Sequence, residues 1–146
     1  MEFLVKNFSE LNISELYKIL QLRSEVFVVE QDCVYQDLDF KDQKAVHVIG
    51  IKNNKIIAYT RIFKPGDYFK EASIGRVIVD AKERKFGYGH DLMKASIKVI
   101  QEKFNTLKIT ISAQVYLKNF YESHGFKKVG DEYLEDGIPH IEMLRN

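Results

Sequence analysis

The segment from Ile74 to Phe104 constrains this chain more than any other. It reads IGRVIVD, a basic stretch Lys82–Lys85, two glycines at 87 and 89, and then a long amphipathic run. The β-branched residues of 74–80 suit a buried central strand ending at Asp80. From Tyr88 to Phe104, Leu92, Met93, Ser96, Ile97 and Ile100 fall on one stripe, so the spacing predicts a helix. At its start about four backbone N–H groups lack an intrahelical partner. Gly87 and Gly89, having no Cβ, let a bulky anion approach those donors, and Arg84 and Lys85 add positive charge beside them. The arrangement predicts a cradle for a phosphate or diphosphate.

Two common phosphate-binding patterns do not fit. No Gly-Lys-Ser/Thr follows, so there is no Walker loop and no hydroxyl placed for magnesium. The three-glycine spacing and downstream acid of a dinucleotide fingerprint are also missing. The pattern that does fit is Arg/Gln-x-x-Gly-x-Gly/Ala, as Arg84-Lys85-Phe86-Gly87-Tyr88-Gly89.

Around this unit the chain predicts a mixed sheet. Met1–Asn7 reads as an edge strand, and Asn12 with Glu15 as a capping box opening a helix that runs to about Val28. Residues 30–44 read as an acidic loop. Strands at 45–51 and 56–63 flank Asn53-Asn54, a pair that tolerates positive φ and so predicts a hairpin. After Phe104 come a strand at 107–113, a short helix from Val115 to His124 stopped by Gly125, and a closing hairpin. That hairpin joins 126–133 to 138–144 through Glu135-Asp136-Gly137. The order β, α, β, β, β, α, β, α, β, β is an α/β (α+β) mixed sheet with helices on its faces. No linker or repeat interrupts residues 1–146, so one domain is expected.

Composition removes several classes of function. With 22 Lys and Arg against 21 Asp and Glu, the net charge of +1 gives no general pull on nucleic acid. No apolar run approaches the ~18–20 residues of a membrane span, and the N-terminus lacks the pattern of a secretory signal. The single cysteine, Cys33, offers neither an internal disulfide nor a zinc ligand pair, so no metal is expected. The expectation is a cytoplasmic domain without nucleic-acid or membrane partners.

The 84–89 pattern resembles the acyl-coenzyme A loop of the GNAT acetyltransferases. LRSEVFVVEQDCVYQDLD, IGRVIVD, NFYESHGF and EDGIPHIEM are similar to the ElaA-type branch of that family and spread over most of residues 16–145. The resemblance implies the GNAT acyl-CoA N-acyltransferase fold, with a mostly antiparallel central sheet. It implies that the backbone of Arg84, Lys85, Phe86, Gly87, Tyr88 and Gly89 binds the coenzyme diphosphate. It further implies that the strand Val77, Ile78 and Val79 pairs through an exposed backbone edge with the pantetheine arm, beside a neighbour at 107–113 that splays away. Asn119 matches a position that hydrogen-bonds that arm, and Tyr121 matches the tyrosine that protonates the departing thiolate. A backbone N–H near Val79 is the implied oxyanion donor. The activity implied is direct transfer of an acetyl group from acetyl-CoA to a primary amine of a small molecule or peptide. The alternative is a non-catalytic acyl-CoA-binding or regulatory module. Family members often pair as homodimers through sheet edges.

An ammonium ion near pKa ~10.4 must lose its proton before it attacks. Glu30, Asp37 and Asp39 lie in the region that lines the acceptor site in this family; Glu30 and Asp39 are the expected catalytic carboxylates. An acidic loop also favours a cationic acceptor. His47 and His140 are alternative bases. Tyr116 and Phe120 are expected to pack. Arg23 and Arg61 interrupt apolar patterns, which points to buried pairing or to an anionic group on the acceptor, and Arg76, beside Gly75, is placed to meet a carboxylate of the acidic loop.

Overall fold

The computed structural model describes residues 1–146. One eight-stranded sheet is built from β1 (Glu2–Asn7), β2 (Val46–Lys52), β3 (Lys55–Phe63), β4 (Ala72–Val79), β5 (Ile109–Gln114), β6 (Phe126–Lys128), β7 (Tyr133–Glu135) and β8 (Ile138–Arg145). Its order is β1-β2-β3-β4-β5-β8-β6, with β7 also paired to β8. The helices are α1 (Ile13–Arg23), α2 (Tyr88–Phe104) and α3 (Lys118–Glu122). None is long and apolar enough to cross a membrane.

Period-two alternation along the strands divides the core between the two faces. Ile49, Tyr59 and Ile78 point to one face and pack with Ile19 and Leu22 of α1 and with Val26. Val48, Ala58 and Ile74 point to the other, beneath Leu92, Met93, Val99 and Ile100 of α2. On that second face Thr60 and Ser96 share a buried hydrogen bond of 2.8 Å, and Ser96 donates back to the Leu92 carbonyl. A polar pair so satisfied costs little and fixes the register of α2 over β3.

Local signals act where the sequence places them. Asn12 accepts from the Glu15 amide at 2.7 Å while Glu15 accepts from the Asn12 amide, so both ends of the capping box close. Asn53 and Asn54 have φ of 51° and 62°, the geometry of a tight hairpin turn. Gly125, at φ 89°, stops the turn after α3.

Four expectations change. The helix expected to reach Val28 is α-helical only to Arg23; Ser24–Glu30 widen into a π-helix, a form that tends to mark functional sites and here carries Phe27 and Glu30 to the cleft described below. The basic stretch is not an open loop but a 3₁₀ helix, Ala81–Phe86, capped by the Asp80 carboxylate on the Lys82 amide. β4 begins at Ala72 and β5 at Ile109, two residues before and two after the expected starts. The closing hairpin breaks at Gly130 (φ 84°), so β6 and β7 are separate strands on β8.

Candidate active site

β4 and β5 run parallel, yet they pair only at Ala72–Ile109 and Ser73–Thr110. Beyond those residues they part. A bulge in β4 accompanies the divergence: Tyr59 faces Ile78 and Arg61 faces Gly75, so Arg76 and Val77 together stand opposite Thr60. Arg76 takes up the extra residue at φ 49°, a left-handed conformation that costs an ordinary side chain roughly 1–2 kcal/mol.

The parting leaves an edge of β4 bare. The Asp80 amide donates to the Ile57 carbonyl at 2.7 Å, toward β3. Because peptide groups alternate along a strand, those of Val77 and Val79 face the other way, into the gap. The Val79 carbonyl receives Arg84 Nε from that side at 3.0 Å. No strand of the sheet pairs with this edge beyond Ser73.

The gap is a cleft of about 490 Å³. β4 and β5 form its walls, Gly87 and Gly89 lie at one end, and the β7–β8 turn at the other. Gly87 is left-handed at φ 74°, and a Cβ there would meet no protein atom within 4 Å. It is the residue before α2, and no side chain caps the helix. The His90 amide bonds back to the Gly87 carbonyl at 3.1 Å, and the amides before it are left without a capping side chain and open to an anion. At Gly89 a Cβ would sit 3.4 Å from the Phe120 ring, an ordinary contact. These features fit a diphosphate-bearing ligand laid along β4.

Arg84 departs from the expectation of free positive charge. Its guanidinium grips the Glu30 carboxylate bidentately at 2.6 and 2.9 Å. Lys85, Phe86 and Tyr88 do not line the cleft; Phe86 and Tyr88 lie 4.1 and 5.1 Å from the Lys52 ammonium and tie the 3₁₀ segment to the β2–β3 hairpin. Their side chains anchor the segment.

Tyr121 is 5 % exposed, lines the cleft, and its hydroxyl makes no hydrogen bond within the protein. Burial raises its pKa well above the ordinary phenol value. A hydroxyl so placed stays protonated and is left to a partner from outside the chain. Asn119 is exposed on the neighbouring turn and does not line the cleft.

The two expected carboxylates separate. Glu30 lines the cleft, paired to Arg84. Asp39 does not line it; it accepts from Arg61 at 2.8 and 2.6 Å and lies 3.5 Å from Arg76. Burial alone would lift the Asp39 carboxyl, but the Arg61 guanidinium outweighs it and holds it well below the usual carboxylate range. Asp39 is therefore an anchor of the fold and not a base.

The acidic loop as a whole carries no excess charge on its buried side. Arg23 binds Asp37 at 2.9 Å and Asp42 at 2.7 Å, Arg61 binds Asp39 and Asp42, and Arg76 meets Asp37 at 2.8 Å. Three arginines balance three aspartates: of the two alternatives for Arg23 and Arg61 it is buried pairing that holds, and Arg76 meets the acidic loop as expected. His47 belongs to the same knot: Nε2 donates to the Asp42 carbonyl, leaving Nδ1 to accept from the Tyr59 hydroxyl. Burial keeps it neutral, and its place outside the cleft removes it as a candidate base.

Of the other cleft residues, His140 is an expected alternative base, whereas Gln31, Tyr35, His90 and Gln114 carry no sequence signal. Gln31 and Gln114 exchange amide hydrogen bonds across the mouth at 3.1 and 3.4 Å. The Cys33 thiol donates to the Asp136 carbonyl at 3.2 Å, and Tyr35 donates to Asp37 at 2.9 Å. Residues 30–37 thus roof the cleft from α2's approach to the β7–β8 turn. His90 and His140 also line it. Phe120 packs against the core as expected, but Tyr116 is 71 % exposed at the rim and is not a packing residue.

A family model described as an acetyltransferase (GNAT) domain matches residues 7–145. Protein ElaA of Escherichia coli is 45 % identical over 139 residues, covering 94 % of this chain and 91 % of that protein. A UPF0039 protein of Schizosaccharomyces pombe is 44 % identical over 145 residues, covering 98 % and 95 % of the two chains. The crystal structure of E. coli ElaA superposes with a TM-score of 0.92 at 42 % identity over 99 % of each chain. That of an acyl-CoA N-acyltransferase from Pseudomonas aeruginosa gives 0.93 at 36 % identity over 100 % of each.

Proposed function

The chain belongs to the GNAT acetyltransferase family, and from that premise we propose that it moves the acetyl group of acetyl-CoA directly to a primary amine. The observation that carries this reading is the bare edge of β4, which runs between the uncapped start of α2 and the hydroxyl of Tyr121. An extended amide-containing arm can add to that edge as a further strand, with its diphosphate at the first-turn amides of α2.

In this reading the Val79 N–H, which faces the gap, donates to the thioester oxygen as negative charge develops there. The amine nitrogen forms a bond to the carbonyl carbon and the carbon–sulfur bond breaks. Tyr121 gives its proton to the departing thiolate and recovers one from the nitrogen, which carries a surplus proton after attack. Burial keeps the phenol protonated until the thiolate leaves. Glu30, at the cleft wall, is the carboxylate proposed to relieve the incoming ammonium of its proton.

Release of free thiol from acetyl-CoA, followed with a panel of primary amines, tests the reading. Amine-dependent release is expected. CoA binding with no release for any amine would instead favour an acyl-CoA-binding module.

A further inference from the structure

We propose that the acceptor is a diamine or polyamine, and that Glu135 and Asp136 bind the positive charge remote from the reacting nitrogen; this rests on the acetyltransferase reading above. The charged side chains that line the cleft are Glu30, Arg76, Arg84, Glu135 and Asp136. Glu30 and Arg84 cancel as a bidentate pair. Arg76 is answered by Asp37 and Asp39, within a knot whose arginines and aspartates balance. What remains is the turn between β7 and β8, with two adjacent carboxylates.

The two carboxylates have a single partner between them. Asp136 makes no ion pair; its backbone, at φ 52°, is pinned to the roof by Cys33. Glu135 approaches only His140 Nε2, at 3.3 Å. His140 Nδ1 is itself held by the Ile138 carbonyl at 2.7 Å, so one neutral or singly charged ring is all that the chain sets against the two carboxylates. An ammonium at this turn meets negative charge that the chain leaves unbalanced, whereas a carboxylate-bearing acceptor is repelled.

An independent feature points to a ligand in the same cleft. The Tyr121 hydroxyl, on a residue 5 % exposed, has no partner in the chain. Recognition at the turn and chemistry at Tyr121 are thus separate stations along one groove. Tyr116 also lines the cleft, and its exposed ring is free to meet a cationic chain, whereas Phe27 and Tyr35 already lie about 6 Å from the Arg76 guanidinium. An amine that reaches both stations needs a positive charge at each end.

The test compares hexylamine, 1,6-diaminohexane and 6-aminohexanoate as acceptors, with thiol release from acetyl-CoA as one readout. Calorimetric binding of 1,6-diaminohexane to the CoA-loaded protein is the other. The diamine is expected to exceed the monoamine at least about tenfold in kcat/KM, with the amino acid poorest and the advantage shrinking as salt screens the carboxylates. In the Glu135→Gln/Asp136→Asn variant the KM for the diamine rises about tenfold, with CoA affinity and circular dichroism reporting an intact fold. Equal use of the three amines, or preference for 6-aminohexanoate, overturns the proposal and leaves the acetyltransferase reading standing. Diamine binding that depends on the two carboxylates but yields no thiol overturns that reading and retains the site. Absence of both binding and release defeats both.

Discussion

Arg84, at the head of the anion cradle, holds the carboxylate of Glu30 in a two-pronged grip of 2.6 and 2.9 Å. A diphosphate that settles on the first turn of α2 has to share or take over that guanidinium. Both side chains are more than a third exposed, so the pair itself stabilises the fold by under about 1 kcal/mol. Its consequence is for binding. Glu30→Gln is expected to tighten CoA about two- to fivefold by calorimetry while lowering turnover. Weaker CoA binding in that variant would mean that Glu30 supports the cradle and does not compete for it.

Tyr121→Phe removes a hydroxyl that has no partner in the chain. Melting temperature is expected to stay level or rise slightly, since no internal hydrogen bond is lost. Turnover is expected to fall about a hundredfold, in the range usual for a positioned acid, with CoA affinity within twofold. A near wild-type rate would reduce Tyr121 to a packing residue.

The two glycines of the cradle separate stability from binding. Gly87→Ala forces a Cβ into a left-handed residue, φ 74°, and is expected to cost about 1 kcal/mol in denaturant unfolding. Gly89→Ala sits inside α2 with only an ordinary contact to Phe120, so stability is expected to hold or gain up to about 1 kcal/mol. Both substitutions are expected to weaken CoA binding, because each places a methyl group over the first-turn amides. Unchanged affinity in both would remove the anion cradle from the picture.

The buried knot predicts how the fold responds to truncation and acid. Arg23 is fully buried between Asp37 and Asp42, and Arg23→Ala leaves three clustered aspartates with only Arg61 and Arg76 to balance them. A loss of about 3–5 kcal/mol is expected from denaturant unfolding.

In acid, two groups act in sequence. Burial depresses the folded-state pKa of His47 below the unfolded value of ~6.5, so the unfolded chain binds the extra proton and stability declines as pH falls below that value. Asp42 and Asp39 are also depressed, since burial, which opposes ionisation, is outweighed by Arg23 and Arg61 for Asp42 and by Arg61 for Asp39. Their contribution is present above an unfolded pKa of ~3.9 and is lost as pH falls through the lower folded values. Melting temperature against pH is expected to drop in two stages, and His47→Gln to abolish the upper one. A flat profile from pH 7 to 5 in the unmodified protein would contradict this.

What the sequence reveals about the fold is mostly what local chemistry decides. Asn53-Asn54, the Asn12–Glu15 box, and the stripe and boundaries of α2 are governed by neighbours within a few residues, and each appears as read. The family resemblance, spread over separate blocks, is supported by a match across residues 7–145. The parting of β4 from β5 depends on a pairing that stops at Ser73 and Thr110 and on a bulge at Arg76, a residue whose type gives no hint of positive φ. The fate of the acidic loop was equally hidden in detail. Arg61 lies 22 residues from Asp39 and Arg84 lies 54 from Glu30, so apparent excess charge in the sequence becomes a neutral clamp only in three dimensions. Charge left over is found instead at Glu135 and Asp136, which in sequence read only as a turn.

The most direct measurement is a crystal structure of the protein with CoA. The expected result has the diphosphate at the amides of Gly87–Gly89, the pantetheine arm hydrogen-bonded to the backbone of Val77 and Val79, and the sulfur beside the Tyr121 hydroxyl. Cofactor bound elsewhere, or a β4 edge that stays unpaired while CoA is held, would contradict the proposed chemistry.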